Sequence, residues 1–398
     1  MEHWQQRWEN AWREIVLGHK TGLKARLARS LFRIASWPYR GTVRLRNWLY
    51  DHQWLPIHAA AVPVISVGNL SMGGTGKTPC IEYLARYYRQ RDIRVAVLSR
   101  GYGSLSIRND EALLLEENLP DVPHLQNADR VAAAECAVQE LESQLLLLDD
   151  GFQHRRLHRD LDIVLLDATR PPLQDALFPR GRLREPFSAL ARADHLILTR
   201  TDQASPTELN DLSQVLAQRF PGLPIAQAVH EPDSLRWGDK VLSPQFLAER
   251  VVAAFCGLAH PDAFRRTLEQ LGVKLLDFRT YPDHHPYTSA DVAELHRWAA
   301  ATPPDTWIVT THKDWVKLRL NELGGRPLAT LTITWRLTAG TETFHAALDR
   351  IAALISQENT PEAYSADVAG RDSPTISHDA VSTDGPLDST RHGCNPST

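Results

Sequence analysis

The chain has few cysteines and pairs none of them in a motif. Cys80, Cys136, Cys256 and Cys394 are scattered through 398 residues, and no CxxC spacing occurs. This argues against a zinc site or a disulfide scaffold and fits a reducing compartment. Long apolar runs are also missing. No stretch of 18 apolar residues exists, so a membrane-spanning helix is not expected. The first residues are polar, with no apolar segment leading to a small-residue cleavage site, so no secretory signal is read. The net charge of −4 gives no global basicity of the kind that marks nucleic-acid binders. No internal repeat is visible. With 43% hydrophobic and 23% charged residues, the composition is that of a globular protein large enough for two domains.

One further absence is local. From Lys20 to Tyr50 there is no acidic residue, while Lys20, Lys24, Arg26, Arg29, Arg33, Arg40, Arg44 and Arg46 supply positive charge. Leu23, Leu27, Leu31 and Ile34 fall on one face of a helix, with Trp37 and Trp48 nearby. Two readings are open. A basic amphipathic helix can lie in a membrane interface with its arginines near anionic headgroups. It can equally be a surface helix packed on the main domain. Trp4, Trp8 and Trp12 repeat at helical spacing and read as packing residues.

Against this background stands Ser71-Met72-Gly73-Gly74-Thr75-Gly76-Lys77-Thr78. An apolar, strand-like run from Val62 to Asn69 precedes it, and a helical pattern (Ile81, Leu84, Ala85, Tyr88) follows. This is the context of a phosphate-binding loop. Gly73, Gly74 and Gly76 permit the backbone to point successive N–H groups at phosphate oxygens; Thr75 lies between them. Lys77 would neutralise the β- and γ-phosphates, and Thr78 would offer its hydroxyl to Mg²⁺. The usual pattern opens with Gly where this chain has Ser71, but the Gly-x-Gly-Lys-Thr core is intact. ATP or GTP binding is expected. A metal site of this kind also needs a carboxylate. Asp149, after four leucines at the end of an apolar run, is the natural anchor, with Asp150 placed to hold a water or assist the metal; the alternative is a cap for the following turn.

Further strands are predicted at Val95 to Ser99, Leu145 to Leu148, Asp162 to Asp167, His195 to Thr199, Val251 to Cys256 and Trp307 to Thr310, with helices at Asp129 to Leu141 and Ala263 to Leu271. Strands alternating with helices predict an α/β fold, a mostly parallel sheet with helices on both faces. Residues 169–188 read as a long loop over the sheet, where substrates usually sit. The expected division is a basic amphipathic region at 1–54, a P-loop domain at 55–225, a smaller α/β domain at 226–355 and a tail at 356–398 whose composition predicts disorder.

The motifs together resemble the tetraacyldisaccharide 4'-kinases of lipid A biosynthesis. The resemblance rests on Val67-Gly68-Asn69-Leu70, the phosphate loop and Leu98-Ser99-Arg100-Gly101-Tyr102-Gly103. It continues through Leu148-Asp149-Asp150-Gly151-Phe152-Gln153-His154 and Gly181-Arg182-Leu183-Arg184-Glu185-Pro186. Pro282-Asp283-His284-His285 and Thr310-Thr311-His312-Lys313-Asp314 complete it. The blocks occur in the family's order over about residues 10–350. The resemblance implies a P-loop NTPase-like kinase using ATP and Mg²⁺. Its acceptor would be the 4'-hydroxyl of a tetraacyl glucosamine disaccharide 1-phosphate, an amphiphilic glycolipid. It also implies peripheral attachment to the cytoplasmic face of the inner membrane, with no nucleic-acid or obligate protein partner. That favours the membrane reading of the basic helix.

The same resemblance implies site roles. A Gly-Asp-Glu-Pro block of the family carries a catalytic base. Here the match is Asn109-Asp110-Glu111-Ala112, which departs at both ends and makes Asp110 the candidate base; a surface pair capping the next helix is the alternative. Its partner would be His284, preferred over His285, the two forming a carboxylate–imidazole pair for the sugar hydroxyl. Arg100 and Arg130 are candidate electrostatic clamps, and Arg184 and Glu185 are candidates to contact the acceptor or to shape its loop, unless they only pair locally. His312 stands where the family usually has glutamate, which weakens any role carried over to that position. Two other functions stay in view: a kinase of the same fold for another amphiphilic sugar, and a nucleotide-dependent switch or metal-insertion GTPase. Only part of a guanine-reading Asn-Lys-x-Asp block is present, at Thr311 to Asp314.

Overall fold

The computed structural model describes residues 11–12, 14–16, 18–101, 110–258, 260–283 and 285–358. Trp4, Trp8 and most of the expected tail lie outside them.

The chain opens with α1 (Leu23–Asp51). The P-loop half follows as β1 (Val64–Asn69), α2 (Lys77–Arg89), β2 (Val95–Ser99), α3 (Asp110–Asn118), β3 (His124–Gln126), α4 (Arg130–Gln139), β4 (Leu145–Asp149), β5 (Leu161–Asp167), β6 (His195–Thr199) and α5 (Pro206–Arg219). The second half comprises β7 (Ile225–Trp237), β8 (Lys240–Leu242), β9 (Val251–Cys256), α6 (Pro261–Gln270), β10 (Lys274–Thr280), α7 (Ser289–Ala300), β11 (Trp307–Thr311), α8 (His312–Leu318), β12 (Glu322–Leu323) and β13 (Arg326–Ala339). The last described element is α9 (Thr341–Glu358).

The strands form one sheet in the order β10-β9-β11-β13-β7-β6-β5-β1-β4-β2-β3. β1, β2, β4, β5 and β6 are buried along their whole length. They pair in parallel, as continuous apolar strands covered on both faces do. β9, β10 and β11 form a second parallel set, extended by β13. The two sets meet where β7 and β13 run antiparallel. Pro232 interrupts this ladder because it has no N–H to donate, and the register shifts between Leu331 and Ile333. Thr332 Oγ1 fills the gap by accepting from the Ser234 backbone N–H at 3.1 Å.

The expected boundary at 225/226 therefore falls at the start of a strand that binds both halves into one sheet. α9, grouped in the sequence with the second domain, packs on the first. Phe344, Leu348 and Ile351 share a core with Ile81, Leu84 and Tyr88 of α2, and Tyr88 donates its hydroxyl to the Leu348 carbonyl at 2.9 Å. Helices cover both faces of each half: α4 and α5 lie opposite α2 and α9, while α6 and α7 cover opposite faces of the second set. The 169–188 loop is pinned over the sheet: Leu177 and Leu183 join the core of Leu212 and Leu216.

Candidate active site

The phosphate loop connects β1 to α2, and its carbonyls are tied down from below. Asn69 Nδ2 donates to Gly73 O at 3.4 Å and to Thr75 Oγ1 at 2.9 Å. Arg200 Nη2 donates to Gly74 O, and Thr199 Oγ1 to Thr75 O, each at 2.9 Å. Carbonyls held inward leave the intervening N–H groups for an anion in the cleft. Gly73 and Gly76 have φ of 118° and 89°, the left-handed backbone that such a loop needs. A Cβ on Gly76 would also lie 2.8 Å from His230 Nε2. From the side, Met72 N–H donates to Arg182 O and Arg184 N–H to Leu70 O, each at 2.8 Å, so the phosphate loop and the 177–184 loop form one framework.

Lys77 lies at the N-terminus of α2, with its Nζ 3.4 Å from Asp150 Oδ1. Arg184 Nη1 donates to both oxygens of the same carboxylate, at 2.8 and 2.6 Å. Burial alone would raise the Asp150 pKa; the charges of Lys77 and Arg184 overcome it and hold the group at about 2. Asp149 is buried at the end of β4. Thr78, Asp149 and Asp150 line the cleft together with Gly73, Gly74, Thr75, Gly76 and Lys77. A hydroxyl and a carboxylate are hard oxygen donors, the set suited to Mg²⁺ in partnership with phosphate oxygens and water. Among the described residues no group of three or more His, Cys, Asp or Glu forms a self-sufficient metal cage.

Arg100 and Arg130 reach the same cleft of about 1810 Å³. Arg130 is the first residue of α4, whose N-cap Asp129 accepts from Val131 N–H at 3.0 Å. Beside it, burial and then the charge of Arg130 push the His154 pKa down to about 4, so the ring is neutral at pH 7.

Of the two roles expected for Glu185, acceptor contact or loop shaping, its position fits the second. Its side chain is fully buried and absent from the cleft lining. Arg46 and Asn47 of α1 reach its two oxygens at 2.9 and 2.8 Å, and Arg192 pairs with it at 3.0 Å. Tyr39 Oη donates to Arg184 O at 2.9 Å. Glu185 thus anchors α1 to the loop that carries Arg184, while Tyr39 and Arg46 line the cleft.

The opposite wall comes from the second half. Asp283, His285, His312 and Lys313 line the same cleft as Lys77. Asp110 opens α3, but its side chain, like His284, lies outside the described residues. His285 is turned to Asp291, with Nε2 3.1 Å from Oδ2, and its ring stacks on Tyr281.

The residue reading missed a buried group beneath the loop. Arg200 Nη1 contacts Asp167 Oδ2 at 2.5 Å, and His260 Nε2 stands 3.8 Å from the same oxygen. Burial, and secondarily Arg200, lowers His230 to about 3, keeping it neutral against Gly76. Arg200, at φ 55°, follows directly on the legible strand β6. Its place at the end of a legible strand is the one local signal the sequence offers for it.

Comparison with known proteins agrees with this geometry. The family model for tetraacyldisaccharide-1-P 4'-kinase matches residues 28–353. A tetraacyldisaccharide 4'-kinase of Anaeromyxobacter dehalogenans is 39% identical over 358 residues, covering 85% of this chain and 93% of that relative. One from Syntrophus aciditrophicus is 40% identical over 336 residues, covering 77% and 89%. Among solved structures, LpxK from Aquifex aeolicus, crystallised with ATP, superposes with a TM-score of 0.66. It has 35% identity and covers 81% of this chain and 99% of that one. The chain belongs to the tetraacyldisaccharide-1-P 4'-kinase family.

Proposed function

We propose that this chain transfers the γ-phosphate of ATP to the 4'-hydroxyl of tetraacyldisaccharide 1-phosphate, at a membrane surface, in lipid A biosynthesis. The observation that carries the reading is the shared cleft. Lys77, Arg100, Arg130 and Arg184 face a wall formed by Asp283 and His285, and α1 closes one side while turning its apolar stripe outward.

ATP would lie with its phosphates over the loop N–H groups and the N-terminus of α2, with Lys77 against the β- and γ-oxygens. Asp150, held ionised, keeps the Lys77 ammonium poised and Arg184 oriented. Thr78 and Asp149 would hold Mg²⁺, which supplies charge neutralisation on the β- and γ-phosphates. Arg100 and Arg130 add positive charge where charge accumulates on the transferred group. Asp110, paired with His284, takes the proton of the 4'-hydroxyl as its oxygen bonds to phosphorus. The bond from phosphorus to the β–γ bridging oxygen breaks, and ADP leaves with the electron pair. Arg184 also suits the acceptor's anionic group through its forked donors.

No described helix is long and apolar enough to cross a membrane. Leu23, Leu27, Leu31, Ile34 and Trp37 are each more than half exposed along one stripe of α1, flanked by arginines. This suits peripheral attachment to an anionic leaflet, the cytoplasmic face of the inner membrane.

The test is direct. The purified chain with Mg-ATP should phosphorylate tetraacyldisaccharide 1-phosphate in detergent micelles, and an ATP-competent preparation that makes no product rejects the reading. Asp110→Ala should lose turnover by about 100-fold or more while ATP affinity stays within about twofold. Undiminished turnover removes Asp110 as the base.

A further inference from the structure

α8 begins directly at the end of β11 and is fixed rigidly in the second half. Thr311 caps it, and Asp314, fully buried, accepts from Thr311 Oγ1 at 2.6 Å, Tyr287 Oη at 3.0 Å and Gly257 N–H at 3.0 Å. From this fixed turn, side chains reach in two directions. His312 Nε2 meets Glu117 Oε1 of α3 at 3.2 Å. Lys313 Nζ meets Asp283 Oδ1 at 2.9 Å, and Lys317, one turn on, donates to the His285 carbonyl at 3.0 Å.

Each contact has a consequence along the chain. Glu117 and Asp110 are seven residues apart in one helix, a rise of roughly 10 Å, so displacing one end of its backbone swings the other. The end of α3 that carries Glu117 is also held to the first half: Asn118 Nδ2 donates to Glu82 Oε1 at 2.9 Å, and Leu115 is buried in the core with α2. His312 supplies the matching hold from the second half. On the other side, Asp283 and His285 are the immediate neighbours of position 284 in the chain, and both are gripped by α8.

We propose that α8 is the jig that sets the two members of the Asp110–His284 pair relative to one another, His312 acting on α3 through Glu117 and Lys313 with Lys317 acting on the 283–285 segment. These are positioning residues rather than catalytic ones, and the inference rests on the pair assigned above. Burial lowers the pKa of His312, so at neutral pH the contact is a neutral ring N–H donated to a carboxylate. A glutamine amide at that position can replace it.

The experiment uses the full chain, with Mg-ATP and tetraacyldisaccharide 1-phosphate in micelles. His312→Ala and Glu117→Ala should each lower kcat by about tenfold to 100-fold, the size expected for a misplacement of about an ångström. The Kd for ATP should remain within about twofold, and the double variant should be no worse than the poorer single. His312→Gln should keep most of the wild-type kcat, and Lys313→Ala should show the same kcat-only loss. Glu117 is 29% exposed, so Glu117→Ala keeps the test open even where His312→Ala folds poorly. Unchanged kcat in Glu117→Ala, additive losses in the double variant, or a Gln variant as impaired as Ala each overturn the proposal. Asp110→Ala separates the two levels. If it retains turnover, the catalytic pair itself fails; if it is inactive while Glu117→Ala is normal, only the positioning fails.

Discussion

At the scale of single residues, the site is governed by one carboxylate shared between two cations. Asp150 takes the left-handed conformation, with φ 55°, at the end of a strand whose sequence is apolar up to Asp149. That backbone is costly for a side-chain-bearing residue and is sustained by the ion pairs with Lys77 and Arg184. Its folded pKa of about 2 lies below the ordinary carboxylate value near 3.9. The linked stability is thus present above about pH 4 and lost as pH falls through about 2, on the order of 2 kcal/mol in total. Asp150→Asn should lower stability by a similar amount at pH 7, since it leaves two half-buried cations facing each other. The deficit relative to wild type should shrink between about pH 4 and 2, as urea titrations across that range would read. A deficit that does not change with pH would assign the effect to packing. Among the other expected residues, Lys77, Asp149, Asp150, Arg100, Arg130 and Arg184 share one cleft. They were legible because motif blocks on successive strand ends converge at one edge of a parallel sheet. Which of the two roles open to Glu185 fits was not legible, because adjacency to Arg184 says nothing about facing. The carboxylate points to Arg46, more than a hundred residues earlier in the chain.

At the scale of elements, α1 has two faces with separate duties. Tyr39, Arg46 and Asn47 clip it to the 184–185 segment, and Arg155 pairs with Asp51 at its end at 2.7 Å. The opposite stripe is mostly uncovered by the described residues: Leu27, Ile34 and Trp37 are 58%, 68% and 76% exposed. Replacing Leu27 and Ile34 by Glu should therefore leave stability and ATP affinity nearly unchanged while stripping the protein from anionic vesicles. Each such side chain contributes about 1.5–3 kcal/mol on full burial, so flotation should fall by at least tenfold. Vesicle binding that persists would place the docking face elsewhere. The helix was readable because its period and one-sided charge are local properties. β7, β13 and α8 were not. β7 contains Pro232 and alternates in burial, β13 is rich in threonine, and α8 has only seven residues after a strand that ends in two threonines. Only pairing partners distant in sequence decide such segments. The continuous apolar strands β1, β4 and β5 declared themselves without help.

At the scale of the whole molecule, the P-loop half and the second half are not beads on a linker. β7 and β13 pair through most of their length, and the chain then returns through α9 to pack on α2. Each half therefore depends on segments that the other half orders. The cleft inherits this arrangement, because the phosphate loop hangs from β1 while the facing wall hangs from β10 and β11, all in one sheet. Independent unfolding of either half would expose the apolar face of the shared strands, so the described fold should melt as one cooperative unit. Leu331 sits in the shared ladder opposite Leu235, and both are almost fully buried. Leu331→Ala should cost about 2–5 kcal/mol, the range for removing a packed leucine from a core. In scanning calorimetry the variant should show a single transition at lower temperature, and ATP should raise that whole transition by mass action. Trp237, Trp298 and Trp307, three of the five tryptophans of the second half, should follow the same midpoint although none of the three lines the nucleotide cleft. Two resolved transitions, with only one responding to ATP, would show that the shared sheet does not couple the halves.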